Sequence, residues 1–321
     1  DLPTNASIAD LKIRSVMCSP LLTPDNKALG ILQIDTSDLN QFNEEDLELL
    51  DAVAKQAAIA VQNAKLHQGL LNRDRINRDL RQAKRIQEIF LPRSLPKVDG
   101  YEFFAHYHPA YEVGGDYYDF VHLPGNRLAV AVADVAGKGV AAALMMAKFS
   151  GDTRYCILTE DAPAPAADAL NQLLCEAGID EKFITLALGI LDPSSHKLTV
   201  CAAAHPPVLI RRADRRVEAI EVEKTGFPLG SFPESVYQQE VFDLQPGDVA
   251  VLYSDGVPDA RNRQGEQYVS VQLDRLTQRL QEAAGGAEAV GKSLVQHLRE
   301  FGDGTDQFDD ITLVCISRAR D

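Results

Sequence analysis

Apolar and polar residues alternate with two different periods along this chain. In residues 15–37, SVMCSPLLTPDNKALGILQIDTS, the pattern predicts two strands around a turn at Pro24-Asp25-Asn26-Lys27. The following FNEEDLELLDAVAKQAAIAVQNAKL is helical. Leu47, Leu50, Ala54, Ala57, Val61 and Ala64 form one apolar stripe, Asn43 stands ready to cap it, and acidic residues fill the first turn. The next segment, HQGLLNRDRINRDLRQAKRIQEIFLPRSLP, has no strand signal. Leu71, Ile76, Leu80, Ala83, Ile86 and Phe90 keep an imperfect 3-4 spacing until Pro92 and Pro96 end the helix. Joined to its predecessor it makes a rod of about 45 residues, a length that suggests a parallel coiled coil between two subunits.

From about Gly100 the pattern returns to short strands, at 101–108, 117–123, 127–134, 183–191, 197–203, 207–212, 236–243, 248–254 and 310–317. Helical patterns fill 139–159, 164–177, 271–283 and 286–300. Most of these strands are joined by turns, so the sheets should be largely antiparallel. Strands, two helices, strands, two helices and a final strand fit helices packed outside a β-sandwich. Three zones follow: 1–64, a helical linker at 65–96, and 97–321.

Charge narrows the possible partners. The 321 residues carry a formal net charge of -15, which argues against nucleic acid or an anionic membrane and leaves carboxylates for a hard-cation site. One stretch runs the other way: between Arg73 and Arg85 the linker is basic, as a solvated coiled-coil face or a surface docking on acidic protein. The five cysteines are scattered without a C-x-x-C pair and read as small buried hydrophobes of a reducing compartment. The stretch DLPTNASIADL has neither the basic region nor the apolar core of a signal peptide. No apolar run approaches the roughly 18 residues of a membrane span. A cytoplasmic location is expected.

Candidate chemistry lies in the third zone, where aspartates stand at the ends of strands. VGGDYYDF offers Asp116 with Asp119 behind it, and LAVAVADVAGKGVAAA runs an apolar strand into Asp134. DVAVLYSDGVPDA does the same at Asp255, and FDDITLVCI sets Asp309 and Asp310 before the last strand. Antiparallel neighbours can bring such ends to one edge of a sandwich. Clustered carboxylates raise each other's pKa unless a cation neutralises them. Oxygen ligation selects Mg²⁺ or Mn²⁺, and two such ions lower the pKa of a bridging water and clamp a phosphoryl group.

The motifs EVGGDYYD, ADVAGKGVAAAL, TLALGILD, AHPPVLI, TGFPLG, LYSDGV and DDITLV resemble, in order, those of PPM-type metal-dependent protein serine/threonine phosphatases. The resemblance is to the bacterial branch typified by RsbU and the stage II sporulation phosphatase, and it covers about residues 86–317. It implies an α/β (α+β) chain with a four-layer αββα sandwich and two Mn²⁺ or Mg²⁺ ions. Asp116, Asp134, the Val135 carbonyl, Asp255 and Asp309 would be the metal ligands and so the catalytic set, with Asp119 and Asp310 one layer behind. The first zone resembles the second half of a GAF sensory domain, through its hairpin, F-x-x-x-D and long helix ending in N-A.

Other residues carry two readings each. His205 is a general acid for the leaving oxygen or a histidine buried at a strand end. Lys138 attracts phosphate or faces solvent at a helix start. Gly137 and Gly139 permit the turn after Asp134. Relatives often have glycine where this chain has Ala204. The function expected is hydrolysis of phosphoserine or phosphothreonine on a regulatory protein, by family analogy a phosphorylated anti-sigma-factor antagonist. The chain would act as a homodimer through its helical linker. The alternative is a catalytically silent dimeric interaction module.

Overall fold

The computed structural model describes residues 13–178, 182–219, 225–269 and 274–320. Residues 1–12 of the first zone and 271–273 of a predicted helix lie outside them. Contacts divide the chain after Asp79 into two compact units, and the division falls inside the expected linker.

In the first unit β1 (Ser15–Leu22) pairs antiparallel with β2 (Ala28–Thr36). The turn closes where the Thr23 amide donates to the Lys27 carbonyl at 3.0 Å, with Asn26 in the left-handed region at φ 60°. Helix α1 spans Glu44–Gln87 and starts where predicted. The Asp46 amide donates to Asn43 Oδ1 at 3.0 Å, and the Asn43 amide donates to the Asp46 carboxylate at 2.9 Å. This reciprocal box satisfies two amides that the first turn leaves without helical partners. The buried stripe is shorter than predicted. Leu50, Ala54 and Ala58 are buried, whereas Leu47 and Ala64 are exposed, because two strands are too narrow to cover a longer stripe.

The second unit begins with the last turns of α1 and continues through β3 (Tyr101–His108), β4 (Tyr117–Leu123), β5 (Arg127–Val135), α2 (Val140–Thr159) and α3 (Pro163–Glu176). Then come β6 (Ile184–Asp192), β7 (Lys197–Ala203), β8 (Leu209–Arg211), β9 (Val217–Ala219), β10 (Gln239–Asp243) and β11 (Val249–Tyr253). Helices α4 (Asp274–Glu282) and α5 (Ala287–Gly302) precede β12 (Ile311–Arg318). One sheet has the order β10-β7-β6-β5-β4 and the other β3-β12-β11-β8-β9. The strand pairings are antiparallel. β8 is shorter than the predicted 207–212 because Pro206 and Pro207 cannot donate to a ladder. β9, three residues in a charged stretch, was not predicted.

Strand period fills three cores. Leu128, Val130 and Val132 of β5 point between the sheets and meet Leu252, Val314 and Ile316. Ala129, Ala131 and Ala133 point the other way, where their small side chains lie against Met146 and Phe149 of α2. Leu313 and Cys315 of β12 pack with Leu294 and Leu298 of α5 in the third core. The second unit is thus a four-layer αββα sandwich. Among the described residues, no helix is long and apolar enough to cross a membrane.

Candidate metal centre

Register brings the predicted aspartates together in two groups. Tyr117 at the start of β4 is paired with Ala133 near the end of β5, so Asp116 and Asp134 stand at the same end of one sheet. In the other sheet Tyr253 at the end of β11 is paired with Leu313 near the start of β12, which does the same for Asp255, Asp309 and Asp310.

The electrostatics reflect that proximity. Burial raises the pKa of Asp116 well above its usual value, and Asp134 and Asp310 push it further. The Thr312 hydroxyl donates to its carboxylate at 2.6 Å. Asp134 is pushed up to about 7, first by burial and then by Asp255 and Asp309. Asp255 is pushed up to about 6 by burial and by Asp309, against the pull of Lys138. Four carboxylates from two sheets therefore share one poorly hydrated edge, where like charges are costly and a cation is welcome.

Asp310 behaves differently from its neighbour. Its carboxylate accepts the amides of Ala110 at 2.7 Å, Gly115 at 2.6 Å and Asp116 at 3.4 Å, and so holds the loop that delivers Asp116. A Cβ on Gly114 would collide with that carboxylate and with the Tyr107 hydroxyl, which is why the loop needs glycine there. Asp309 instead pairs with Lys138 at 2.8 Å. That lysine follows Gly137, whose φ of 100° makes the turn out of β5.

Asp119 is not part of the cluster. Asp116 and Asp119 are three residues apart, so a strand places them on opposite faces. Asp119 points toward α2, where Arg154 donates to it at 2.6 and 3.0 Å and the Tyr117 hydroxyl at 2.8 Å. His205 is buried, bonded through Nδ1 to the Thr185 hydroxyl at 2.7 Å, and held neutral because burial lowers its pKa to about 3. That environment matches the structural reading of His205.

Sequence reasoning missed Thr312, Arg154 and Gln87. The available signal for Gln87 was its place four residues after Ala83 and three before Phe90, and it takes the inward position assigned to Ile86. Ile86 is 58% exposed, while the Gln87 amide donates to the Gly114 carbonyl at 2.6 Å and accepts the Gly114 amide at 3.1 Å. The end of α1 is thereby tied to the loop before Asp116.

An oxygen-preferring divalent cation fits this donor set: carboxylates with few competing donors, beside the Val135 carbonyl 3.0 Å from where a Cβ on Gly115 would stand. Among the described residues, no three His, Cys, Asp or Glu side chains converge closely enough to hold an ion as they lie.

The sandwich, with its acidic edge, is the fold of PP2C phosphatases. The SiaA PP2C domain of Pseudomonas aeruginosa has a TM-score of 0.67 at 22% identity, covering 77% of this chain and 98% of that one. The RsbU and RsbW domains of a Mycobacterium tuberculosis protein give 0.60 at 28% identity, covering 72% of this chain and 63% of theirs. The family model of stage II sporulation protein E matches residues 124–319, and the chain belongs to that family. Residues 3–63 match the GAF domain. Among curated relatives, Protein IcfG of Synechocystis is 30% identical, over 77% of this chain and 42% of its own length. Phosphoserine phosphatase RsbU of Bacillus subtilis is 27% identical, over 76% of this chain and 71% of its own. The chain thus spans less than half of the first relative and most of the second.

Proposed function

We propose that the chain is a metal-dependent protein phosphatase that hydrolyses phosphoserine or phosphothreonine on a regulatory protein. The observation that carries this reading is the placing of Asp116, Asp134, Asp255 and Asp309, three of them with raised pKa, along one edge of a PP2C fold. Those four aspartates and the Val135 carbonyl would hold two Mn²⁺ or Mg²⁺ ions. When bound, such ions lower the pKa of a bridging water and neutralise the phosphoryl oxygens. The protein's own part is to present the carboxylates. Asp310 and Gln87 hold the Asp116 loop, Thr312 orients the Asp116 carboxylate, and Lys138 sits where it reaches either Asp309 or an incoming phosphate.

The phosphoserine phosphatase among the relatives supports a phosphoserine-bearing substrate; a phosphorylated anti-sigma-factor antagonist as that substrate, and the cytoplasm as the place, rest on family analogy. A homodimer through α1 is supported by the exposed Leu66, Leu70, Leu71 and Ile76 along its length. The experiment is phosphate release from a phosphoserine peptide with Mn²⁺, with EDTA, and with Asp255→Asn. Release that both EDTA and the substitution abolish is the expected result. Equal release in all three would refute the assignment of the site.

A further inference from the structure

Beside the carboxylate cluster lies a cavity of about 360 Å³, between the end of β3, the last turns of α5 and the loops that carry Asp255 and Asp309. Its polar lining is basic in a chain of net charge -15. Arg261 and Arg299 line it, and among the described residues neither guanidinium has a carboxylate partner. The lining carboxylate is Asp306. His106 and His108 stack at 6.3 Å on one wall, and burial holds His106 near a pKa of about 4, so it is a neutral hydrogen-bonding group. Val295, Leu298 and Ile311 supply apolar walls.

One side chain joins this cavity to the cluster. The Phe308 ring carries Arg261 at 3.7 Å and Lys138 at 4.2 Å, and Lys138 is the residue paired with Asp309. Gly256 and Phe308, both in the cavity wall, are the chain neighbours of Asp255 and Asp309. The opening therefore lies within reach of a short extended stretch of peptide from the cluster, at roughly 3.3–3.6 Å per residue.

We propose that the cavity is a subsite for an acidic side chain of the protein substrate, an aspartate or glutamate close in sequence to the phosphorylated residue. The inference rests on the phosphatase reading above. Arg299 and Arg261 meet the carboxylate, and the apolar walls take its methylene stem and strengthen each bond by excluding water. The substrate would be recognised by an acidic flank as well as by its phosphate.

The test uses the full chain with Mn²⁺ and phosphoserine peptides whose flanking positions are in turn alanine, glutamate and lysine, with p-nitrophenyl phosphate alongside. At one flanking position glutamate should lower KM about tenfold relative to lysine with kcat unchanged, as expected of a charge-assisted bond. Arg299→Ala should erase that preference and Arg299→Glu should invert it. Arg261→Ala gives a second reading if the first variant melts early.

Equal KM across the series, with hydrolysis proceeding, would overturn the subsite and leave the phosphatase reading intact. An Arg299→Ala effect equal on peptides and p-nitrophenyl phosphate would reduce Arg299 to a partner of the α5 dipole. Free glutamate that raises the melting temperature through Arg299, with a flat peptide series, would reassign the cavity to a small carboxylate. Inactivity toward peptide and p-nitrophenyl phosphate alike would remove the phosphatase reading, and this inference with it.

Discussion

The two units handle their apolar residues in opposite ways. The second buries its strands on both faces, with Leu128, Val130 and Val132 in one core and Ala129, Ala131 and Ala133 in another. The first leaves large side chains in the open: Ile31 is 68% exposed, Leu49 67% and Val53 50%. A hairpin and a helix offer only one covered face each, so their remaining apolar surface stays exposed. Four layers cover the central strands on both faces, and the apolar side chains they leave exposed, such as Leu144 and Leu158 of α2, lie outside the sheets. What the difference teaches is that four layers hold a rigid edge, whereas a hairpin and one helix leave much of their apolar surface uncovered.

Substitutions sharpen this contrast most. Leu252→Ala, between the sheets, should cost about 2–5 kcal/mol in urea denaturation. Leu70→Ala, on the exposed helix, should change the stability of a monomer by no more than about 0.5 kcal/mol. Equal costs for the two would break the comparison. If α1 forms the dimer, the Leu70 variant should lower dimer affinity in sedimentation while the Leu252 variant lowers stability alone.

The next effect is the ion's. At a hundredfold excess over its Kd, Mn²⁺ should stabilise the second unit by about 2.7 kcal/mol. A melting temperature that does not move with saturating Mn²⁺ would count against the clustered ligands.

Acidity sharpens the same point through sign. Asp134 and Asp255 titrate at about 7 and about 6 in the fold against an ordinary 3.8. The folded protein then holds protons that the unfolded chain releases, so this contribution is whole below about pH 4 and is lost as pH rises through about 6 to 7. Without metal the protein should melt lower at about pH 8 than at about pH 6, and Mn²⁺, which binds the ionised carboxylates, should remove that slope. A metal-free protein that is more stable at the higher pH would contradict the burial of these groups.

The smaller effects are local. Gln87→Ala strands the buried amide and carbonyl of Gly114 and should cost about 1–3 kcal/mol, with a fall in Mn²⁺ affinity because the Asp116 loop loosens. Ala204 lies in the left-handed region at φ 48°, where a Cβ is unwelcome. Ala204→Gly should therefore raise stability by about 1 kcal/mol, read as a higher melting temperature.

Much of this was legible before the fold was seen. Alternation and turn residues located every strand of the sandwich except β9 to within three residues. An apolar strand running into an aspartate marked Asp134 and Asp255, and an aspartate pair opening the last strand marked Asp309, since period and sequence neighbourhood are local properties. The pairing of Asp116 with Asp134 followed once the strands were antiparallel.

The remainder depended on what lies across a gap. No local pattern says that Arg154 will meet Asp119, that Thr312 will reach Asp116, or that Lys138 will turn toward Asp309. Each pair is far apart in sequence, and only the packing of α2 on its sheet and of one sheet on the other joins them. Gln87 makes the same point within a single helix. Apolar spacing put Ile86 inside, and the tertiary structure chose Gln87, because the groups waiting there were a backbone amide and carbonyl that only a polar side chain satisfies. The sequence by itself determined which elements form and where the carboxylates sit along them. Only the tertiary structure decided which groups face those carboxylates, because burial and charge act between chain segments rather than along one.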